Sequence, residues 1–481
     1  MALIELNFKP GIDKQDTEAG AENRWVDSDN VRFRYGLPEK VGGWASLTTD
    51  TIVGVVRKQH AFVDNDGNRY VALGTDKFLL LYFEGQLYDI TPVKTTLTSA
   101  TIATTNGSPT CTITKAAHGV KVGDIVQLDS VTLPGGTGFN DADFEDKNFQ
   151  VISVPTTGTF TINQSSNASG TVSTGGSLSI IPYEPVGPKE QTYGYGWGMD
   201  PYGNGNWGEA AAASDVTLEP GLWSLSNFGE VLIATVLNGK TFTWNSGIGA
   251  RLTTRASTTT SNFETTNNPT KTRVTLVSPT TRHLIHLGTE TTIGTPATQD
   301  DMFIRFSDQE AINTYAPSAT NTAGTQRLQD GTKIMGALKA KEVILIWTDN
   351  ALYTMKFIGS PFTFGFEQVG TNCGLIGQNA VVEIDGAAFW LSPKGFFMFD
   401  GTVKSLSCTV EDSVFDNFDT TKGQQVNAGL NNLFTEITWY YPSSTSDFNN
   451  KYVVFNFGES AGVPGGVWYT GTEARTSWMD A

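Results

Sequence analysis

The feature that most constrains the fold of this chain is a recurring unit of four strand-like runs joined by short turns. Residues 52–93 show the unit most clearly, with turns at 64–67 and 84–85. The pair Asp66-Gly67 between two β-rich runs indicates a hairpin, because glycine tolerates the positive φ of tight hairpin turns. Four antiparallel strands in about 42 residues match the size of one β-propeller blade.

Further segments repeat this pattern, at 222–245, 273–317, 333–370, 380–407 and 431–480. Their central runs, such as 231–236 and 343–347, are continuously apolar, as expected for strands buried on both faces. The pattern predicts an all-β fold, a β-propeller of about five or six blades. The run VRFRYG at 31–36 is a candidate for the strand that closes the ring.

A segment rich in Thr, Ser and Gly, residues 95–181, interrupts the repeats. Its alternating runs at 151–154 and 159–162 favour a small inserted β-domain over the alternative, a long disordered loop. The expected organisation is therefore an N-terminal segment with the first blade in 1–94, the inserted domain in 95–181, and the remaining blades in 182–481.

One short helix is predicted by an apolar stripe at i, i+4, i+5 and i+8, formed by Val410, Val414, Phe415 and Phe418. Thr409 is the expected N-cap, and Gly423 the expected end of the helix. One or two such helices are expected beside the strands.

Charge and composition exclude several classes of protein. The net charge is −17, from 32 Lys+Arg and 49 Asp+Glu, which argues against binding nucleic acid through clustered cations. The longest strongly apolar run, 78–83, is too short to span a membrane, so stable membrane insertion is not expected. Residues 1–11 lack the features of a secretory signal. The three cysteines are odd in number and widely spaced, which predicts free thiols. Together with the lack of signal-peptide features, free thiols predict synthesis in a reducing cytoplasm.

Two motifs imitate nucleotide sites without their structural context. Residues 203–208 match GxGxxG, but a Gly/aromatic loop precedes them instead of a strand. Residues 238–241, Asn-Gly-Lys-Thr, lie between two strand-like runs and are better explained as a hairpin turn. The aromatic residues of the first loop are candidates for packing on a neighbour or for a contact between subunits: Tyr193, Tyr195, Trp197, Tyr202 and Trp207.

Residues that could bind metal or catalyse a reaction give only weak signals. The acidic cluster Asp141, Asp143, Glu145 and Asp146 lacks EF-hand spacing, which favours a solvated loop over a calcium site. The four histidines have no zinc-ligand spacing and are expected to be structural. We therefore expect no enzyme activity, no catalytic residue, no cofactor and no metal site.

The most specific stretch of the chain is 27–44, DSDNVRFRYGLPEKVGGW, preceded by PGIDKQDTEAG. Together these resemble the N-terminus of the tail hub or nozzle proteins of short-tailed bacteriophages, the phage "stabilisation" proteins. The stretches 344–357, 405–419 and 474–481 agree with this resemblance in their order along the chain. The inserted domain resembles small β-modules of phage tail proteins.

The resemblance implies a structural virion protein in the phage tail. Relatives of this kind form a ring, usually of six copies, below the portal-adaptor protein of the head-tail connector. Such a ring retains the packaged genome, passes the DNA through its lumen without specific binding, and supports tail fibres, spikes or a needle. The family has no catalytic motif whose residues could be carried over.

Two features of the sequence bear on that implied role. Six copies at −17 each would carry −102, and like charge along a channel would keep DNA from adhering to it. The one local basic cluster, Arg24, Arg32 and Arg34, could contact an acidic neighbour in the tail. The alternative is a strand with outward charges at alternating positions, in which Arg32 and Arg34 share a face. The alternatives are a receptor- or glycan-binding tail protein, because exposed aromatic rings can stack on sugars, and a propeller hydrolase of polysaccharide.

Overall fold

The computed structural model of the chain describes residues 8–17, 20–21, 23–190, 219–246, 252, 254–258 and 268–479. It divides into two compact units. The propeller unit contains 1–88, 186–252 and 258–481, and the insert unit contains 89–185 and 253–257. The insert unit is thus slightly longer at both ends than the predicted 95–181, and it includes a short segment from much later in the chain.

The propeller unit begins with a hairpin, followed by the first blade. Strands β1 (Val31–Arg34) and β2 (Leu37–Lys40) pair antiparallel. Blade 1 is the four-stranded antiparallel sheet of β3 (Val56–Val63), β4 (Arg69–Thr75), β5 (Leu79–Phe83) and β6 (Gln86–Asp89). The turn at Asp66-Gly67 lies between β3 and β4 as predicted, and Gly67 has a φ of 85°.

The insert unit is a seven-stranded antiparallel sheet that curls into a half-barrel. Its strands are β7 (Leu97–Thr104), β8 (Thr110–Thr114), β9 (Ile125–Thr132), β10 (Lys147–Gln150), β11 (Ser153–Thr156), β12 (Thr159–Asn163) and β13 (Val172–Pro182). They pair in the order β10-β9-β13-β7-β8-β12-β11. The long strand β13 shifts register against both β7 and β9, and these irregularities bend the sheet around an apolar core.

The remaining strands form five more antiparallel sheets in chain order. Within the described residues, blade 2 has β14 (Trp223–Phe228), β15 (Val231–Val236) and β16 (Thr241–Asn245). Blade 3 has β17 (Thr272–Val277), β18 (Leu284–Thr289), β19 (Phe303–Phe306) and β20 (Gly324–Arg327). Blade 4 has β21 (Ile334–Lys339), β22 (Ile344–Thr348), β23 (Leu352–Phe357) and β24 (Phe364–Gly370).

Blade 5 has β25 (Val381–Ile384), β26 (Ala387–Ser392), β27 (Gly395–Phe399) and β28 (Val403–Ser405). Blade 6 has β29 (Asn427–Asn431), β30 (Glu436–Pro442), β31 (Asn449–Asn456) and β32 (Trp468–Thr472). The first strand of each blade from 1 to 5 contacts the first strand of the next, so these are the inner strands around the axis. The six blades confirm the predicted all-β propeller.

Buried tryptophans connect neighbouring blades. Trp223 of blade 2 donates its indole N–H to the carbonyl of Thr75 in blade 1 at 2.8 Å. Trp439 of blade 6 donates to the carbonyl of Ala380, at the start of blade 5, at 3.1 Å. A Cβ on Gly74 would lie 2.5 Å from the Trp223 ring, so only glycine permits that approach. A buried indole combines a large apolar area with one donor that must be satisfied, and here both fix one blade against the next.

The linker between blades 4 and 5 crosses the propeller axis. Gln378 donates its Nε2 to the carbonyl of Trp223 at 3.3 Å and to the hydroxyl of Ser224 at 2.8 Å, both in blade 2. Asn379 donates its Nδ2 to the carbonyl of Arg57 in blade 1 at 2.9 Å. Both amide side chains are buried. Blades 2 and 5 lie opposite each other in a six-blade ring, so this linker fills the axis at its level.

The predicted helix exists but begins without the expected cap. Helix α1 spans Glu411–Asn417, and its N-cap position is Val410, with no side-chain cap hydrogen bond. Thr409 was the predicted cap, but its hydroxyl donates to the carbonyl of Ile12 instead. A tertiary hydrogen bond to the N-terminal segment therefore takes precedence over local capping, and the prediction for Thr409 was wrong.

The helix also ends before Gly423, the predicted terminus. Phe418 is already extended, and the N–H of Asp419 donates to the carbonyl of Pro442 in blade 6 at 3.0 Å. Gly423 lies in a separate 3-10 segment, Thr420–Gln425. Within the described residues these helical segments, of seven and six residues, and the other short 3-10 turns are far shorter than a membrane-spanning helix.

Candidate functional site

The candidate site is the hairpin β1–β2, which carries the most specific part of the sequence resemblance. Tyr35 and Gly36 form its two-residue turn with positive φ of 52° and 75°, and Arg34 pairs with Leu37 across the turn. Positive φ at both central residues is the type I′ geometry that matches the twist of the two strands. The N–H groups of Tyr35 and Gly36 donate to the carboxylate of Glu459 at 2.7 and 3.1 Å. Blade 6 therefore holds the tip of the hairpin.

A buried ion pair joins the hairpin to the second strand of blade 6. Arg32 donates Nε and Nη2 to the two carboxylate oxygens of Glu436 at 2.8 and 3.0 Å. Tyr469 donates its hydroxyl to the same carboxylate, and burial together with the charge of Glu436 raises the pKa of this phenol well above its ordinary value. The guanidinium carbon of Arg32 lies 3.5 Å from the ring centroid of Phe434. Arg32 is 8% exposed and Glu436 3%, so each charge is stabilised by the other more than by water.

The segment before the hairpin lies along the outer strand of blade 6. Ile12 is buried and donates its N–H to the carbonyl of Trp468 at 2.8 Å. Arg24 donates Nη2 to the carbonyl of Pro464, and its Nη1 lies 3.8 Å from the carboxylate of Asp13. These contacts fix the N-terminal segment to the same blade that holds the hairpin.

The C-terminal stretch packs between blade 6 and blade 1. The Trp478 ring lies on Gly429, where a Cβ would be 2.4 Å from it. The same ring meets Trp44 edge-on with centroids 5.3 Å apart. Ser477 accepts a hydrogen bond from Nε2 of Gln59 in blade 1 at 2.7 Å. The stretch 27–44 and the described part of the C-terminal stretch, 474–479, which carry the resemblance from opposite ends of the sequence, therefore meet at the closing blade.

The predicted closing strand takes a different place. Among the described strands, β1 pairs with β2 alone, and all four strands of blade 6 come from 427–472. The run 31–36 therefore lies outside the blade sheet and contacts its outer strand. Side-chain contacts of the C-terminal stretch, rather than strand exchange, join the last blade to the first.

The tip of the hairpin is apolar and exposed. Tyr35 is 81% exposed, Leu37 68%, and Leu433, in the turn between β29 and β30, 78%. Leu433 precedes Phe434, whose ring centroid lies 5.4 Å from the guanidinium carbon of Arg34. We call Tyr35, Leu37 and Leu433 the hairpin-tip surface. Large apolar side chains displayed on a firmly held turn are typical of an interaction surface.

The three predicted contact arginines have different environments. Arg32 is buried and forms an ion pair with Glu436. Arg24 donates to a backbone carbonyl and lies near the carboxylate of Asp13, whereas Arg34 is exposed. Arg32 and Arg34 share one face of β1, but blade 6 covers that face at Arg32 and leaves it open at Arg34. The alternative that both arginines point outward is therefore wrong. The other predicted contacts lie outside the described residues: Tyr193, Tyr195, Trp197, Tyr202 and Trp207.

Sequence analysis missed the acidic partners of the hairpin, Glu436 and Glu459. Glu436 is 404 positions from Arg32, so no local pattern links them. One signal was present, because Glu436 is the one charged residue in the strand Glu436–Pro442, all of which is buried. A carboxylate in such a run needs a cationic partner.

The acidic loop of the insert unit has a structural role. Carboxylate oxygens of Asp129, Glu145 and Asp146 lie within 4.8 Å of one another. Both oxygens of Glu145 accept backbone N–H groups, from Ser130 at 3.0 Å and Val131 at 2.7 Å. The other acidic residues of the predicted cluster also accept backbone N–H groups, Asp141 from Leu133 and Asp143 from Asn140. These carboxylates brace the loop.

A second polar cluster in the insert unit was not foreseen. Arg255 donates Nη1 to Asp89 at 3.0 Å and Nη2 to the hydroxyl of Tyr183 at 2.7 Å. The Tyr183 hydroxyl donates to Asp89 at 2.8 Å, and burial and that carboxylate raise the pKa of Tyr183 to about 12. Arg255 explains why residues 253–257 belong to this unit.

Two other sequence motifs resolve as structural elements. Asn238 and Gly239 form the turn between β15 and β16, as the hairpin interpretation predicted. His286 is fully buried, its ring nitrogens within 3.1 Å of the Thr272 hydroxyl and 2.9 Å of the Tyr315 hydroxyl. Burial lowers the pKa of His286 to about 3, so its ring is neutral.

Comparison with known proteins gives only distant structural likenesses. No protein-family model and no curated protein matches the chain. Among solved structures, the phage phi92 endosialidase has 12% identity and a TM-score of 0.24, covering 92% of this chain and 61% of the endosialidase chain. Kluyvelomyces marxianus Hsv2 has 9% identity and a TM-score of 0.27 over 49% of this chain and 57% of its own. AztD from Citrobacter koseri has 9% identity and a TM-score of 0.23, over 87% and 74%. At these scores no function follows from the likeness.

Proposed function

We propose that this chain is a structural subunit of a bacteriophage tail, a hub or nozzle protein that forms a ring of six copies. The sequence resemblance at 27–44 motivates the proposal. The observation that carries it is the hairpin-tip surface, because the same stretch displays Tyr35 and Leu37 outward on a turn that blade 6 holds in place. A second copy of the chain is the proposed occupant of that surface.

The way the hairpin is mounted suits an interface between copies. The buried pair of Arg32 and Glu436 and the capping of the turn by Glu459 fix the hairpin before any partner arrives. A preorganised surface loses little conformational entropy on association, so more of its apolar burial contributes to affinity. The exposed side chains Tyr35 and Leu37 have no comparable role in the core of the propeller unit.

In this proposal the DNA path is the opening between copies. The axis of each propeller is occupied by Gln378 and Asn379, so it offers no passage for a duplex. The net charge of −17 per copy would make the surroundings of a shared opening repel DNA instead of retaining it by counterion release. The ring would lie below the portal-adaptor protein, hold the genome, release it on ejection and support fibres, spikes or a needle, without catalysis.

Electron microscopy of the purified full chain, alone and mixed with tail complexes, tests the proposal. The expected result is a six-fold ring with a central opening of DNA width, either in isolation or on the tail. The double variant Tyr35→Ser with Leu37→Ser should stay monomeric with unchanged thermal stability. Phe362→Ser, which alters a 70% exposed aromatic of the β23–β24 turn, is the matched control and should still form rings.

A compact trimer or monomer that also fails to join tail complexes would contradict the ring. That outcome would favour a receptor- or glycan-binding protein, or a polysaccharide hydrolase. Rings that form equally well from the hairpin variant would keep the assembly but remove the hairpin-tip surface from it.

A further inference from the structure

A closed ring of identical copies imposes a condition on the hairpin-tip surface. Neighbours in such a ring meet through two different patches, one from each copy, because a patch that binds its own counterpart pairs only two chains. In the proposed ring, on which this inference rests, Tyr35, Leu37 and Leu433 therefore need a different surface of the next copy to cover them.

The insert unit has an apolar groove between two walls. One wall is the loop 117–121, and the other consists of residues 154–157 of β11 and the turn that follows it. Val120, Val154 and Pro155 contribute apolar side chains to the lining, and the groove has a volume of about 680 Å³. That volume lies in the range of roughly 300–1,000 Å³ that is typical of clefts which bury a bound group.

His118 holds the two walls of the groove together. Its Nδ1 accepts the N–H of Val120 at 3.2 Å, and its Nε2 lies 3.3 Å from the carbonyl oxygen of Thr156. The His118 ring is buried and meets the ring of Phe160 edge-on, with centroids 5.1 Å apart. The groove is therefore formed before any partner arrives, which limits the conformational entropy lost on association.

Two exposed apolar side chains adjoin the groove. Val122 follows the loop 117–121 and is 65% exposed, and Ile152 precedes β11 and is 47% exposed. The N–H of Gly123 donates to the carbonyl of Val151 at 2.9 Å, which keeps the segments that carry these two side chains next to each other. Exposed apolar side chains beside an apolar cleft are typical of a surface that another protein covers.

The charges beside the two surfaces complement each other. At the hairpin tip, Arg34 is exposed, and Glu459 accepts both N–H groups of the turn and forms no ion pair with the described residues. At the groove, Lys121 is exposed, and its N–H donates to the carboxylate of Asp124 at 2.9 Å. Each surface thus has one cation and one carboxylate beside its apolar part, so two copies can pair both sets of opposite charges.

We propose that the groove of the insert unit receives the hairpin-tip surface of a neighbouring copy. The protruding apolar turn fills the apolar groove, and Glu459 of one copy pairs with Lys121 of the next. Each copy offers one tip and one groove, so the contact repeats from copy to copy until the ring closes.

Cross-linking between full-length chains tests which surfaces meet. The three native cysteines are buried, so a thiol introduced at an exposed position reacts in preference to them. Leu37→Cys chains mixed with Val122→Cys chains and treated with a short bismaleimide should give a covalent two-copy product, in the setting where the wild type forms rings. Neither variant alone should give that product. Val63→Cys, at a 50% exposed valine of blade 1, is the matched control and should not link to Leu37→Cys.

A pair of defective variants gives a second test. Val122→Ser with Ile152→Ser removes the apolar edge of the groove and should need at least a tenfold higher concentration to form rings, with unchanged thermal melting. Mixed with the Tyr35→Ser, Leu37→Ser variant, it should form a complex of two copies but no ring, because one intact tip then meets one intact groove. Native mass spectrometry distinguishes these masses, and Val63→Ser should assemble as the wild type does.

The failure of this contact and the failure of the ring give different results. Rings formed equally well by the Val122→Ser, Ile152→Ser variant would overturn the groove as the receiving surface and leave the ring in place. Leu37→Cys chains that link to each other, or link as strongly to Val63→Cys as to Val122→Cys, would overturn it too. A wild-type chain that forms no ring, alone or on tail complexes, would contradict the proposed function and this contact with it.

Discussion

The two ends of strand β21 carry lysines in opposite electrostatic settings. Lys333, just before the strand, shares the carboxylate of Glu219 with Arg273, each at 2.7 Å. Lys339, at the far end, donates to the hydroxyl of Ser226 at 3.0 Å and pairs with no carboxylate of the described residues. Among the described residues, a carboxylate therefore pairs with the lysine before β21, whereas the lysine that ends the strand donates to a neutral hydroxyl.

Blade 6 resembles the Lys333 end of β21, because there too a cationic side chain has a carboxylate partner within the chain. Arg32 meets Glu436 through two hydrogen bonds in a buried setting, and the hairpin depends on that contact. The comparison therefore sets two paired sites against one unpaired site. Three predictions test it: two change a paired site, and the third changes one site of each kind.

Arg32→Met should have the largest effect. The substitution leaves Glu436 buried without its partner, which is expected to lower the free energy of unfolding by about 3–5 kcal/mol. Urea denaturation measures the loss. The second substitution in Arg32→Met with Glu436→Met should restore most of it, because no buried charge then remains. A loss no greater than that of the exposed-site control Lys356→Met would show that the pair does not hold the blade.

Glu219 should make the stability of the propeller unit depend on acid pH. Arg273 and Lys333 overcome the effect of burial and lower the pKa of Glu219 from 4.5 to about 2. Its contribution, about 3 kcal/mol, is fully present above about pH 4.5 and is lost as the pH falls towards 2. Urea denaturation at several pH values in this range gives the free energy of unfolding at each pH. This free energy should rise less steeply with pH for Glu219→Gln than for the wild type.

Glu342→Gln, at an exposed glutamate before β22, is the control for that series, and its free energy of unfolding should depend on pH as in the wild type. The same pH dependence for Glu219→Gln and the wild type would contradict the assignment of Glu219 as the counter-charge of Arg273 and Lys333.

The same substitution at the two lysines of β21 should have opposite effects of smaller size. Lys333→Met removes a partly exposed ion pair and should cost about 1 kcal/mol. Lys339→Met removes an unpaired charge and should leave stability unchanged or raise it. Chemical denaturation of the two variants gives both free energies of unfolding. Equal destabilisation by the two substitutions would mean that the electrostatic settings of Lys333 and Lys339 do not differ.

The blades were predictable because their signals are local. Turns such as Asp66-Gly67 and continuously apolar runs such as 343–347 specify strands over a few residues. Helix α1 was predictable from its apolar stripe, but its limits were not. Thr409 and Asp419 form hydrogen bonds with distant segments, and these contacts decided where the helix begins and ends.

The candidate sites were less predictable because their residues come from distant parts of the chain. The stretch 27–44 was recognised as the most specific, yet its partner Glu436 could be identified only once the last blade was placed. Glu219 precedes blade 2 and Lys333 precedes blade 4, so their pairing could be identified only once the blades were placed. Local sequence patterns identify the strands, whereas the partner of each charged side chain becomes identifiable only from the arrangement of the blades.

Native mass spectrometry of the wild-type chain and of the Tyr35→Ser, Leu37→Ser double variant tests the central claim most directly. The account predicts a six-copy mass for the wild type, alone or after transfer from the tail complex, and a single-copy mass for the variant under the same conditions. A wild-type chain that remains a single copy or a trimer in both settings would contradict the ring. A variant with the six-copy mass would contradict assembly through the hairpin-tip surface.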